Sequence, residues 1–108
     1  MLPSATYKLK HNGSDCAMYF TIVNDDDGHV TAMFINSKEM KEFQWITALM
    51  TSYSRQLNNG VGIDSVISDM KETFDPNGTY YPPGLGQKVN SLVHHLGLIL
   101  ESHVNCGR

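Results

Sequence analysis

The sequence predicts an α+β fold: a three-stranded antiparallel sheet followed by three helices packed on one face of it. Three observations carry that prediction. Apolar and polar residues alternate with period two through the first third of the chain. Two clusters rich in Asn, Asp and Gly, Asn12-Gly13-Ser14-Asp15 and Asn24-Asp25-Asp26-Asp27-Gly28, separate the alternating runs and are short enough to join neighbouring antiparallel strands. After Met33-Phe34-Ile35-Asn36-Ser37-Lys38-Glu39-Met40 the period changes to spacings of three and four, which persist towards the C-terminus.

The first strand is expected over residues 6–11, with Tyr7 and Leu9 on one face and Lys8 and Lys10 on the other. Two lysines on one face suit an exposed edge strand, where charge blocks further pairing. The second strand, residues 18–23, places Met18, Phe20 and Ile22 on one face and Tyr19, Thr21 and Val23 on the other. Both faces are fairly apolar, as expected for a central strand. The face carrying Tyr19 is left uncovered by helices on the opposite side, which makes it a candidate interface. The third strand is expected over residues 30–35. The aspartates before it lack the alternating oxygens and distal Glu of a calcium loop, and Asp and Asn favour such turns through local hydrogen bonds alone.

Ser37 is the predicted N-cap of the first helix, with Glu39 complementing the dipole in its first turn. Its apolar stripe is Phe43, Ile46, Met50, Tyr53 and Leu57, and Asn58-Asn59-Gly60 closes it. The second helix carries Ile63, Val66, Ile67, Met70 and Phe74 and stops before Asp75-Pro76-Asn77-Gly78. The third is predicted from about residue 85 to 103, with Leu85, Val89, Leu92, Val93, Leu96, Ile99 and Leu100 as its stripe. On that helix His94 faces away from the stripe, His95 flanks it, and His103 sits on it near the end, placed to cap the last carbonyls.

The chain has 108 residues, 41% of them hydrophobic, and reads as one domain spanning 1–108. A formal charge of −3 gives no electrostatic reason to expect nucleic-acid binding. The N-terminal residues lack the apolar core of a signal peptide, and no run approaches membrane-spanning length. A cytoplasmic protein with reduced thiols is expected, and Cys16 and Cys106 make neither a CxxC motif nor a disulfide framework. No metal or other cofactor is expected: there is no HExxH and no Cys-His pair, and adjacent helical histidines point apart. Ser54 and Ser91 have no evident base and orienter, so no catalytic residue is assigned and a non-enzymatic role is expected.

Candidate ligand-binding residues fall in two places. Thr47, Thr51 and Arg55 recur every four residues on the first helix. A guanidinium offers a planar fork to phosphate and threonine hydroxyls add orienting bonds; alternatively, this is a polar helix face whose small hydroxyls, with Ser54, allow another element to pack closely. The connection Thr79-Tyr80-Tyr81-Pro82-Pro83-Gly84-Leu85-Gly86-Gln87-Lys88 precedes a predicted helix start. Tyr80, Tyr81 and Lys88 there either cradle an anion at the helix N-terminus or belong to a connection that Pro and Gly merely reverse. Trp45 lies off the main stripe, either buried against a second element or offered as a stacking surface. With Leu98, opposite the stripe of its own helix, and Tyr19, it is a candidate partner contact.

The segments Ser4-Ala5-Thr6-Tyr7-Lys8-Leu9-Lys10, Ala17-Met18-Tyr19-Phe20-Thr21-Ile22, Phe34-Ile35-Asn36-Ser37-Lys38 and Trp45-Ile46-Thr47-Ala48-Leu49 resemble the TSCPD domain family. They are similar in particular to the small separate subunit of split adenosylcobalamin-dependent ribonucleotide reductases. Phe74-Asp75-Pro76-Asn77-Gly78 and Lys88-Val89-Asn90-Ser91-Leu92-Val93 fit the same pattern, in the same order over nearly the whole chain. The Thr-Ser-Cys-Pro-Asp signature itself is absent, with Asn90-Ser91 in the region where it is sought, and Arg55 alone stands where the family is more basic. No family ligand or redox cysteine is therefore carried over to this chain.

The resemblance implies a non-catalytic accessory subunit whose partner is a large catalytic reductase chain. The alternative is a stand-alone nucleotide-binding protein of the kind found in phage or other mobile genomes, sequestering a nucleotide signal at the interface of a homo-oligomer. Neither reading involves a membrane or direct nucleic-acid binding.

Overall fold

The computed structural model describes residues 4–10, 17–37, 43–75, 79–82 and 84–106. Three strands come first, β1 (Ala5–Lys10), β2 (Ala17–Asn24) and β3 (Val30–Ser37), followed by α1 (Phe43–Asn58), α2 (Ile63–Lys71) and α3 (Leu92–Cys106). The sheet is antiparallel throughout, in the order β1-β2-β3. The predicted fold class is the observed one. The cluster Asn12-Gly13-Ser14-Asp15 and His11 lie outside the described residues.

Register sorts the side chains. Leu9 pairs with Met18, Tyr7 with Phe20 and Phe20 with Ile35, and Ile22 with Met33, which assembles one inward layer. Phe20, Ile22, Met33, Met50, Val66, Met70, Leu96 and Leu100 are fully buried in a single core fed by the sheet and all three helices. The other layer carries Thr6, Thr21 and Phe34 in one row and Lys8, Tyr19 and Asn36 in the next. β1 is an edge strand, as the lysines suggest.

β3 runs to Ser37, which pairs with Met18; the capping bonds predicted for Ser37 fall on residues 38–42. Residues 38–42, and with them Glu39, lie outside the described residues. At its far end α1 closes as predicted, in a Schellman motif. Val61 N–H donates to the Gln56 carbonyl at 3.0 Å and Gly60 N–H to that of Leu57 at 3.3 Å. Gly60 has φ +90, a left-handed conformation that glycine adopts without penalty.

α1 lies along the outer edge of β3. Met33 N–H donates to Ser54 Oγ at 3.0 Å, and Asn58 Nδ2 donates to the Thr31 carbonyl at 2.8 Å. One helical turn (about 5.4 Å) nearly matches two strand residues (about 6.7 Å), so side chains four apart meet alternate strand positions. Covering an edge in this way removes a template for unwanted pairing.

α2 ends at Lys71, and Phe74 is exposed beyond it rather than part of the stripe. α3 begins at Leu92, seven residues later than the apolar spacing predicts. Tyr80 and Val89 form an antiparallel bridge with N–H···O distances of 3.2 and 2.8 Å, and Gly84 and Gly86 have φ of +79 and +76. Positive φ and a bridge exclude helix there, so Val89 is buried as an extended residue while Leu85 is exposed. Ser91 caps α3: its Oγ accepts the His94 amide hydrogen at 3.0 Å and donates to the Thr73 carbonyl at 2.7 Å. Among the described residues no helix is long and apolar enough to cross a membrane.

Candidate functional site

The polar row of α1 stands in solvent. Thr47, Thr51 and Arg55 are all exposed. Thr51 Oγ1 donates to the Thr47 carbonyl at 3.0 Å, so in this rotamer its hydroxyl proton is already engaged. Among the described residues no carboxylate lies within ion-pair distance of Arg55. Ser54, one residue before Arg55, is turned towards β3, so the row's hydroxyls divide between solvent and close packing.

The connection before α3 divides likewise. Tyr80 is 4% exposed, and its hydroxyl lies 2.7 Å from His95 Nδ1. Burial pushes the Tyr80 hydroxyl far above its ordinary pKa. This side chain belongs to the core, not to a ligand surface. One register step from the Tyr80–Val89 bridge come Tyr81, 73% exposed, and Lys88, also exposed. Lys88 precedes α3 by four residues, and the His94 amide at that helix start is already taken by Ser91. The predicted anion cradle at a helix N-terminus is therefore not formed by these residues.

Trp45 is 47% exposed rather than buried against a second element, and Leu98 is half-buried in α3. Tyr19 is 43% exposed on the open face of the sheet. The row beside it carries Phe34, 56% exposed, which sequence reasoning did not single out. The signal was present: pairing β2 with β3 through the Asp-rich turn puts Phe34 opposite Thr21 and hence on the face of Tyr19. Thr6 and Thr21 hydroxyls hydrogen-bond across the strands at 3.0 Å on this face. Register thus places two large exposed rings, Tyr19 and Phe34, on the same face of the sheet.

The inward-facing histidines were also undervalued. His103, expected to cap the end of its helix, instead places Nδ1 2.6 Å from the Tyr7 hydroxyl and Nε2 3.0 Å from Asn24 Oδ1. It ties the last turns of α3 to β1 and β2. Burial raises the Tyr7 pKa, with a further rise from Cys106, and burial lowers that of His103. The Tyr53 hydroxyl is raised by burial and by Asp69, against a hydrogen bond to the Thr73 side chain that lowers it. In the Asp-rich turn, ligand atoms of Asp25, Asp27 and His29 lie within 4.8 Å of one another, all exposed. Asp25 Oδ1 accepts the amide hydrogens of Asp27 and His29 at 3.0 and 2.9 Å, which accounts for the arrangement as a turn.

Fold and surface define a small α+β domain, helices on one sheet face and an aromatic-bearing surface on the other. The sequence model of the TSCPD domain matches residues 3–104, nearly the whole chain, and the chain belongs to that family. No curated protein and no solved structure matches it.

Proposed function

We propose that this chain is a non-catalytic accessory subunit that docks on the large catalytic chain of an adenosylcobalamin-dependent ribonucleotide reductase. The observation that carries the reading is the open sheet face with Tyr19 and Phe34 exposed side by side in neighbouring rows. Aromatic side chains contribute a disproportionate share of binding energy where a partner desolvates them. Membership of the TSCPD family is consistent with this role. Sedimentation velocity of the chain mixed with a large reductase chain tests it. Tyr19→Ser with Phe34→Ser should weaken the complex at least about thirtyfold, the sum of two interface anchors at over 1 kcal/mol each. Self-association lost in the same variant, with no complex, would assign the face to a second copy of this chain instead.

Arg55 favours a second reading, a nucleotide-binding module, because an exposed guanidinium with no carboxylate beside it among the described residues is available to a phosphate. Calorimetric titration with linear and cyclic nucleotides tests that role. Micromolar binding abolished by Arg55→Ala supports it, and absence of heat with every nucleotide removes it.

A further inference from the structure

His94 and His103 stand near opposite ends of α3, and each fastens its end through Nδ1 acting as an acceptor. Near the N-terminal end, Asn90 N–H donates to His94 Nδ1 at 3.0 Å. A backbone amide can only donate, so that nitrogen carries no proton. With Ser91 as the cap, His94 takes the place of the Glu or Gln of a capping box, reaching back one residue further.

The state of His103 follows from a chain of partners. Asn24 Nδ2 donates to the Gly28 carbonyl at 3.0 Å, which turns Asn24 Oδ1 towards His103 Nε2, also at 3.0 Å. An amide oxygen only accepts, so Nε2 carries the hydrogen. Nδ1 must then accept from the Tyr7 hydroxyl, 2.6 Å away. Both rings are neutral in this arrangement, and a second proton on either Nδ1 abolishes its bond as made.

The surroundings oppose that proton. The charged group facing His94 is Lys71 of α2, itself paired with Glu101 of α3 at 3.1 Å. Facing His103 are Tyr7 of β1 and Asn24 at the end of β2, with Cys106 of its own helix acting on Tyr7. Among the described residues no carboxylate pairs with either ring. Burial lowers both pKa values, and Lys71 lowers that of His94 further.

We propose that His94 and His103 form an acid-operated latch: proton uptake releases the N-terminal end of α3 from the connection before it and the C-terminal turns from the sheet. The sign follows from linkage. Both folded values lie below the ordinary 6.5, so the fastening is complete above about pH 6.5 and is lost as pH falls towards the folded values. Between those limits each histidine changes the opening constant of its end by up to about tenfold per pH unit.

Amide hydrogen exchange from pH 7.5 to 5, corrected for intrinsic rates, tests the latch. Protection at both ends of α3 should fall by up to tenfold per pH unit below 6.5. In His94→Gln, which keeps the capping acceptor but cannot titrate, the fall should vanish at the N-terminal end only. In His103→Gln it should vanish at the C-terminal end only. An acid-dependent fall that persists at the substituted end overturns the proposal. Should a variant fail to fold, NMR titration of the wild-type histidines decides. Depressed values accompanied by shifts of the α3 amides support the latch, and ordinary values near 6.5 overturn it.

Discussion

Single residues settle how closely the elements approach. A Cβ built at Gly97 of α3 would lie 2.8 Å from Met70 Cβ and 3.3 Å from the Lys71 backbone nitrogen. Alanine would gain about 1 kcal/mol of helix propensity there. Overpacking costs about 1–3 kcal/mol, and a neighbouring backbone cannot swing aside as a side chain can. Gly97→Ala should therefore lower the denaturant midpoint at constant m-value, and an unchanged midpoint would show that α2 can shift. Ser54 occupies a comparable position in the α1–β3 contact. Ser54→Ala leaves Met33 N–H without its partner, and chemical denaturation should register a loss of roughly 1–3 kcal/mol. A loss under about half a kcal/mol would mean that solvent replaces the hydroxyl. Gly97 was not legible in advance, because a glycine inside a periodic run looks the same whether it faces water or another backbone, and close packing at Ser54 was one of two readings of the polar face of α1.

At the scale of elements, sequence pattern succeeded where local period and tertiary role agreed. The alternation of β2 and the stripe Ile46, Met50, Tyr53 of α1 are buried as predicted. The pattern failed between residues 85 and 91, where Leu85 and Val89 match a helical spacing by coincidence. Gly84, Gly86 and the Tyr80–Val89 bridge override it. α3 depends on polar partners outside the helix. His94 and His103 are bound to Asn90, Tyr7 and Asn24, contacts that no helical periodicity announces. Their depressed pKa values predict that global stability declines as pH falls below about 6.5, even before the carboxylates titrate. Equilibrium unfolding at pH 7.5 and 5.5 checks this, and equal stabilities at the two values would contradict it.

For the molecule as a whole, burying one sheet face under the helices leaves the other to solvent, and that asymmetry was legible from β2 being apolar on both sides. Of the candidate residues, Tyr19 stands on that surface and Trp45 is exposed on α1, whereas Tyr80 is internal. Phe34 joined the surface only once register was known. The proposed ligand residues Thr47, Thr51, Arg55, Tyr81 and Lys88 remain exposed, but on two separate elements. An account in which the open face docks a larger chain stands or falls on affinity. The direct measurement is the Kd between this chain and a large adenosylcobalamin-dependent reductase chain, for the wild type and for Tyr19→Ser with Phe34→Ser. The wild-type complex should be weakened at least about thirtyfold by the substitutions, with the fold retained. No complex, or one of equal affinity in the variant, would contradict it.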